Sequence, residues 1–476
     1  MVLVRILTVI FIIISLNISS IAQKKWSLSE CIDYALKNNI NIEKQEIEKK
    51  KQKNHYKQSK NNLLPDLSFN GTHHYNIGRS LDRTTYTYVN KDIHTDNFSV
   101  NSSVTLFEGI ERFHVIEKNR LSLKAILARN KKLENEITLQ IASRYLDILY
   151  QKEKVHIADS QLTLTRQELK RTREMVKSGS VAKDVLLEIK AQRASEKHNL
   201  VKAQNSLRMY KLELINLMNI DSVENFRIVK PSAENVDVTA ISMVPEEIYR
   251  EALDLPRVEA KRARKKISRQ ELKAVKSRKY PTLRLNIAYG SKYSTKSKQV
   301  DNQIPTETTV GYVNNDPNLP VISQTFKNTY EKVPFWDQLD KNLSASFSLE
   351  LNVPIFDKFR YKTKIENAKL DLIKDDKDLE LTKQELYEDI RNAYNEAISA
   401  YSEYNSAQQK SISYRKQFSI AKEKFNIGLY NTIEYKKAKN DLTQAQVDVI
   451  RAKYRYMFKK QILRFYEGKS IGISKE

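Results

Sequence analysis

Two stretches of equal length restrict what this chain can fold into. One runs from Glu108 to Gly179, the other from Asp357 to Gly428. Each follows a Phe: Phe107 in Leu-Phe-Glu-Gly, Phe356 in Ile-Phe-Asp-Lys. Each closes on a Gly 72 residues after that Phe. Neither Pro nor Gly occurs between Ile110 and Ser178, or between Asp357 and Ile427. Runs this long, rich in Lys, Glu, Leu and Ala, favour unbroken helix. At 1.5 Å per residue, ~71 helical residues reach about 107 Å, roughly three times the hydrocarbon thickness of a bilayer. A plain soluble coiled coil accounts for the helices alone, but the surrounding segments repeat as well.

Before the first stretch, Ser27 and Glu30 form a capping-box pattern that opens a helix expected over Leu28–Asn62. Pro65 stops it, and the apolar period changes from about 3.6 to 2. Leu67, Phe69 and Tyr75 alternate with Ser, Asn and Thr in a strand; a polar loop, 78–96, follows. The return strand sets Phe98, Val100, Val104 and Leu106 against Ser99, Asn101, Ser103 and Thr105. The long helix turns at Gly179 and returns from Ser180 to about Asn219. The second half repeats this order. A helix is expected over Glu246–Tyr280, stopped by Pro281. A strand carries Leu283, Leu285, Ile287 and Tyr289; a long loop, 291–341, follows. A strand with Leu343, Ala345, Phe347, Leu349, Leu351 and Val353 on one face ends at Pro354. Corresponding residues lie about 216 apart before that loop and 249 apart after it, so the second loop holds the extra length. The expected domains are a leader at 1–22, repeat one at 23–219, a connector at 220–245, repeat two at 246–467 and a tail at 468–476. Within each repeat the two shorter helices together match the long one, which implies a rod of even thickness with strands at one end.

Four alternating strands of about ten residues, whose apolar faces lack charges, suit a tilted membrane-barrel span. Only His73 sits awkwardly on the apolar face. Four strands cannot close a barrel, and open edges in lipid cost several kcal/mol per unpaired group. Several copies must therefore share one barrel.

The totals agree with long helices: 476 residues hold 9 Gly and 10 Pro. A net charge of +24 admits nucleic-acid binding, yet Lys and Glu are interleaved, and no zinc-knuckle, RNP or helix-turn-helix signature occurs. The single cysteine, Cys31, excludes an internal disulfide and reads as a small buried hydrophobe. Arg5, the apolar run Ile6–Leu16 and Ser20-Ile21-Ala22 form a secretory leader, so the mature chain is expected to be exported. Catalytic motifs are missing: no Gly-x-Ser-x-Gly, P-loop or His-Glu-x-x-His occurs. No enzyme activity, cofactor or metal is expected. The carboxylates Glu385 and Asp389 lie near Arg391 and read as solvated ion pairs.

The segments Ser27–Asn39, Leu63–Ser68, Leu106–Gly109 and Lys177–Leu186, with their counterparts in the second half, resemble the TolC-type outer-membrane efflux protein family over essentially the whole mature length. Ile40 departs from the Pro common there. The resemblance implies an α+β membrane fold: long α-helical hairpins forming a periplasmic tunnel, plus a trimeric 12-stranded antiparallel β-barrel with four strands per chain. It implies a passive exit duct of a tripartite efflux pump or type I secretion system in a Gram-negative outer membrane. Its partners would be a periplasmic adaptor and an inner-membrane transporter. The Gly turns reverse each long helix, and Val181, Leu429 and Tyr430 are apolar residues at exposed turns. The resemblance makes Gly179, Ser180, Val181, Gly428, Leu429 and Tyr430 the adaptor-docking tips. Pro65, Phe107, Pro281, Pro354 and Phe356 mark the helix–strand junctions. The competing class is a soluble periplasmic helical scaffold or adaptor, which has no use for two alternating hairpins whose apolar faces lack charges.

Overall fold

The computed structural model describes residues 25–82, 86–90, 92–220, 226–230, 240–469 and 471. The leader at 1–22 and most of the tail lie outside the described residues. In chain order the elements are β1 (Lys25–Trp26), α1 (Leu28–Asn38), α2 (Ile40–Asn61), β2 (Ser68–Asn76), β3 (Arg79–Asp82), β4 (Thr87–Asn90), β5 (Ile93–Phe107), α3 (Glu111–Lys177) and α4 (Lys183–Met218). There follow β6 (Arg227–Ile228), α5 (Pro245–Ala252), α6 (Pro256–Ser277), β7 (Thr282–Ser294), β8 (Lys298–Tyr312), β9 (Pro320–Lys332), α7 (Phe335–Lys341), β10 (Ser344–Asn352), α8 (Arg360–Asn426) and α9 (Thr432–Tyr466). The two long helices α3 and α8 have 67 residues each. The chain divides into two compact units.

One unit comprises Asn54–Arg120 and Ile267–Leu372. Its centre is a four-stranded antiparallel sheet in the order β10-β7-β5-β2. Paired residues share a face. The register therefore lines up Phe69, Val100, Tyr289 and Ala345 on one side, with Val104, Leu285 and Leu349 and then Leu283 and Leu351 in the rows below. The opposite face carries Asn70, Ser99, Ser103, Asn286, Ser346 and Ser348. A bulge between Thr105 and Phe107 places Phe107 opposite Leu283, the position that strict alternation reserves for Leu106. His73, expected to be awkward, lies 2.5 Å from Asp96 and ends the apolar band there.

The segment 78–96, expected as a polar loop, contains the β3–β4 hairpin and the first residues of β5. The loop expected at 291–341 is a long β8–β9 ribbon followed by α7. Bulges at Asp301 and Val310 interrupt its alternation, so period counting misses both strands. At the strand-to-helix junctions both halves make the same turn. Gly109 and Ile110 are left-handed in the first half, Lys358 and Phe359 in the second, each pair 249 residues from the other.

The other unit comprises Met1–Lys53, Leu121–Lys266 and Ile373–Glu476. Its core buries matching positions from each half. Cys31 and Ala35 correspond to Ile248 and Ala252 at an offset of 217; Ile137 and Ile141 correspond to Leu386 and Ile390 at 249. Cys31 thus takes the place of an isoleucine in a fully buried site. β1 pairs in parallel with β6, and the fully buried Tyr145 of α3 donates its hydroxyl hydrogen bond to the Val229 carbonyl at 2.6 Å.

Two expected helices are each broken. The helix from Leu28 stops at Asn39, whose backbone is extended (φ −72°, ψ 124°). Its side chain accepts from the Asn41 N–H at 2.9 Å and donates to the Leu217 carbonyl at 2.9 Å, so Asn39 caps a second helix that starts at Ile40. In the second half the break falls at Leu253–Leu255, just before Pro256. Glu385 and Asp389 do not pair with Arg391; both bind Arg257 of α6, at 2.6 and 2.7 Å, an inter-helix pairing that linear spacing does not reveal.

Candidate functional site

The first functional surface is the outer face of the sheet. Along β10 the row from Leu343 to Val353 runs about 34 Å, or about 26 Å in height at a tilt of ~40°, close to the apolar band of outer-membrane barrels. Phe347 is 73% exposed, Leu349 67% and Leu351 65%. Burial into a protein core does not explain these side chains; a lipid environment does. Aromatic residues flank the band. Phe335 packs on Tyr293 at 4.9 Å with Trp336 beside it at one end; Phe356 packs on Phe359 at 5.6 Å at the other. β2 and β10 form the two edges, each with one neighbour among the described strands. No described helix is long and apolar enough to cross a membrane.

The second is the pair of helix tips. Both long helices end in the same hydrogen-bonded reversal. Gly179 N–H bonds to the Val176 carbonyl and Ser180 N–H to that of Met175; Gly428 and Leu429 bond likewise to Phe425 and Lys424. This is the Schellman arrangement, which needs a left-handed residue after the helix. Gly179 and Gly428 supply it at φ +73° and +78°. The returning helices start differently. Asn431 and Glu434 form a reciprocal capping box before α9, whereas Ala182 gives α4 no side-chain cap. The two tips meet over a cleft of about 610 Å³ lined by Arg171, Val181, Phe418, Phe425, Tyr430 and Tyr435. Arg171 crosses it to Asn426 at 2.9 Å.

The tips therefore differ from the expectation in detail. Val181 and Tyr430 line the cleft, half-buried, with Lys424 over the Tyr430 ring at 4.9 Å. Leu429 projects outward at 70% exposure, joined by Ile427 at 71% and Ile433 at 69%. The sequence reading missed those two isoleucines. The signal was present as apolar residues on both sides of Gly428, at 427 and 433. Behind the tips the helices are joined by a buried polar group. Lys439 donates to Thr165 at 2.6 Å and lies 3.3 Å from Glu196 and 3.6 Å from Glu168. Tyr435 donates to Glu168, and burial with that carboxylate pushes its hydroxyl pKa far up. Among the described residues no His, Cys, Asp or Glu cluster could hold a metal.

The family profile described as "Outer membrane efflux protein" matches residues 31–219 and 248–468. A search of curated proteins found no match. Among solved structures the fold is similar to the outer membrane protein VceC of Vibrio cholerae (TM-score 0.72, 14% identity, covering 93% of this chain and 96% of that one). It is similar to the CmeC outer membrane channel of Campylobacter jejuni (0.72, 14%, 94% and 87%). It also resembles the open state of the Neisseria gonorrhoeae MtrE outer membrane channel (0.72, 16%, 94% and 90%). The chain belongs to the outer membrane efflux protein family, the non-enzymatic outer membrane channels of tripartite efflux systems.

Proposed function

We propose that three copies of this chain share one barrel of twelve strands, and that its tips dock a periplasmic adaptor coupled to an inner-membrane transporter. The open sheet carries this reading. Its apolar face calls for lipid, while edge strands β2 and β10 offer unpaired N–H and C=O groups. In lipid those groups cost several kcal/mol each unless another strand meets them. Single-chain barrels start at about eight strands, so four strands need other copies, and trimers are typical of the family. Joining β10 of one copy to β2 of the next leaves no edge.

Three copies of two near-equivalent tips then give six docking points. Leu429, with Ile427 and Ile433, supplies exposed apolar surface at one tip; Ser180 and Val181 form the other. The duct is passive, and the transporter supplies energy and selects cargo. The test is the double variant Val181→Asp with Leu429→Asp, expressed in cells that carry the cognate pump. Export and adaptor cross-linking are expected to vanish while trimer and outer-membrane abundance stay at wild-type level. Normal export at that abundance removes the tips from the mechanism.

A further inference from the structure

The β8–β9 ribbon has two unlike faces. On one face the register stacks Val300 with Tyr330, Pro305 with Phe326, Thr309 with Ile322 and Tyr312 with Pro320. On the other it stacks Asn302 with Thr329, Thr306 with Thr325 and Thr308 with Ser323, with Ile304 beside Lys327 and Val321 beside Gly311 as its apolar members. The second face satisfies itself: Thr308 and Thr325 share a hydrogen bond at 2.8 Å, and Thr329 donates to the Asn302 carbonyl at 3.2 Å. The first face holds most of the ribbon's apolar side chains, broken by the polar pairs Gln303–Asn328 and Glu307–Gln324, and it is uncovered, with Phe326 64% exposed and Tyr330 59%. A lone two-stranded hairpin is at best marginally stable in water, and exposed aromatic side chains along one face of it call for a cover.

The ribbon's root is firmly held. Gln338 of α7 is buried; it donates to the Ser294 and Val333 carbonyls at 3.0 and 2.8 Å and accepts from Ser294 N–H at 2.9 Å. Lys292, Lys296, Lys298, Lys332 and Lys341 flank this root, between the sheet's apolar band and those aromatic side chains. Five ammonium groups at that level suit lipid headgroups and leave the aromatic side chains above the hydrocarbon. The root also lies between β7 and β10, and β10 is an open edge of the sheet. The charge fits self-association too. Residues 298–332 hold three Lys against four Asp and Glu, a net −1 in a chain of net +24.

We infer that the apolar face of the β8–β9 ribbon packs against the ribbons of the neighbouring copies, forming a collar over the outer mouth of the shared barrel. This rests on the trimeric reading above. The occupant is a second copy of this chain, because the edge strand that roots each ribbon is the one that joins the next copy.

The test uses the full chain in outer membranes with Phe326→Cys on the apolar face and Thr325→Cys on the polar face. Cys31 is fully buried, so the introduced thiol is the one that reacts. Tagged and untagged copies are co-expressed, treated with a short bis-maleimide, and weighed as native complexes and on denaturing gels. Phe326→Cys is expected to shift up to two of the three chains per particle to species of twice the monomer mass, including a mixed tagged–untagged one. Thr325→Cys is expected to stay at monomer mass and to react freely with a bulky maleimide. Tyr330→Cys, on the same face as Phe326, must repeat the Phe326→Cys result. A native trimer in which Phe326→Cys and Tyr330→Cys remain unlinked overturns the collar and leaves the shared barrel standing. So does linkage to a different protein. A native monomer overturns both.

Discussion

Gly109 and Gly179 both sit at positive φ, yet they tolerate substitution differently. A Cβ on Gly109 would lie 2.5 Å from the Ser277 carbonyl and 2.7 Å from the Tyr280 Cβ, whereas a Cβ on Gly179 meets nothing within 4 Å. Gly179→Ala then bears only the left-handed cost, about 1–2 kcal/mol. Gly109→Ala adds forced separation of α6 from the junction, about 1–3 kcal/mol more. Thermal unfolding of the two variants is expected to rank Gly109→Ala well below Gly179→Ala, and equal losses would refute the close-approach account. At this scale the sequence was half legible. Gly179 and Gly428 could be placed by the Pro- and Gly-free runs before them. Nothing in Leu-Phe-Glu-Gly says that Gly109 faces Ser277, which lies 168 positions away. Likewise Ile427 and Ile433 project outward only because the Schellman turn sets their direction.

Elements were read best where local chemistry decides them. Both long helices stand within three residues of the expected ends, since unbroken propensity over 67 positions leaves no competitor. Strand faces followed from alternation. The breaks at Asn39 and Leu253–Leu255 differ in kind: Pro256 was visible, whereas Asn39 breaks its helix through the Leu217 carbonyl. Tyr145 illustrates the same limit. Its hydroxyl lies 2.6 Å from the Val229 carbonyl and 3.2 Å from that of Trp26, tying α3 to both strands of the β1–β6 pair. Burial, first of all, holds that hydroxyl above its usual pKa. Tyr145→Phe takes the hydroxyl donor from the Val229 carbonyl and is expected to cost about 1–3 kcal/mol. Hydrogen exchange of the Val229 amide, which donates to Trp26 at 2.9 Å, is expected to speed up in step. Unchanged exchange and stability would contradict this role.

At the scale of the molecule, orientation follows from the chain's own order. The β8–β9 ribbon leaves the sheet at the end opposite the junctions marked by Pro65, Phe107, Pro281, Pro354 and Phe356. An epitope inserted between Val313 and Asn318 is therefore expected to be labelled on intact cells. One inserted after Gly179 is expected to be labelled only once the outer membrane is permeabilised; the reverse pattern would invert the topology. The central claim is that four strands per chain become a closed barrel only by sharing. The most direct measurement is the native mass of the protein extracted from outer membranes in mild detergent, the full chain weighing 55.5 kDa. Three copies per particle is the expected result; a single copy, or protein recovered in the water-soluble fraction, would contradict it.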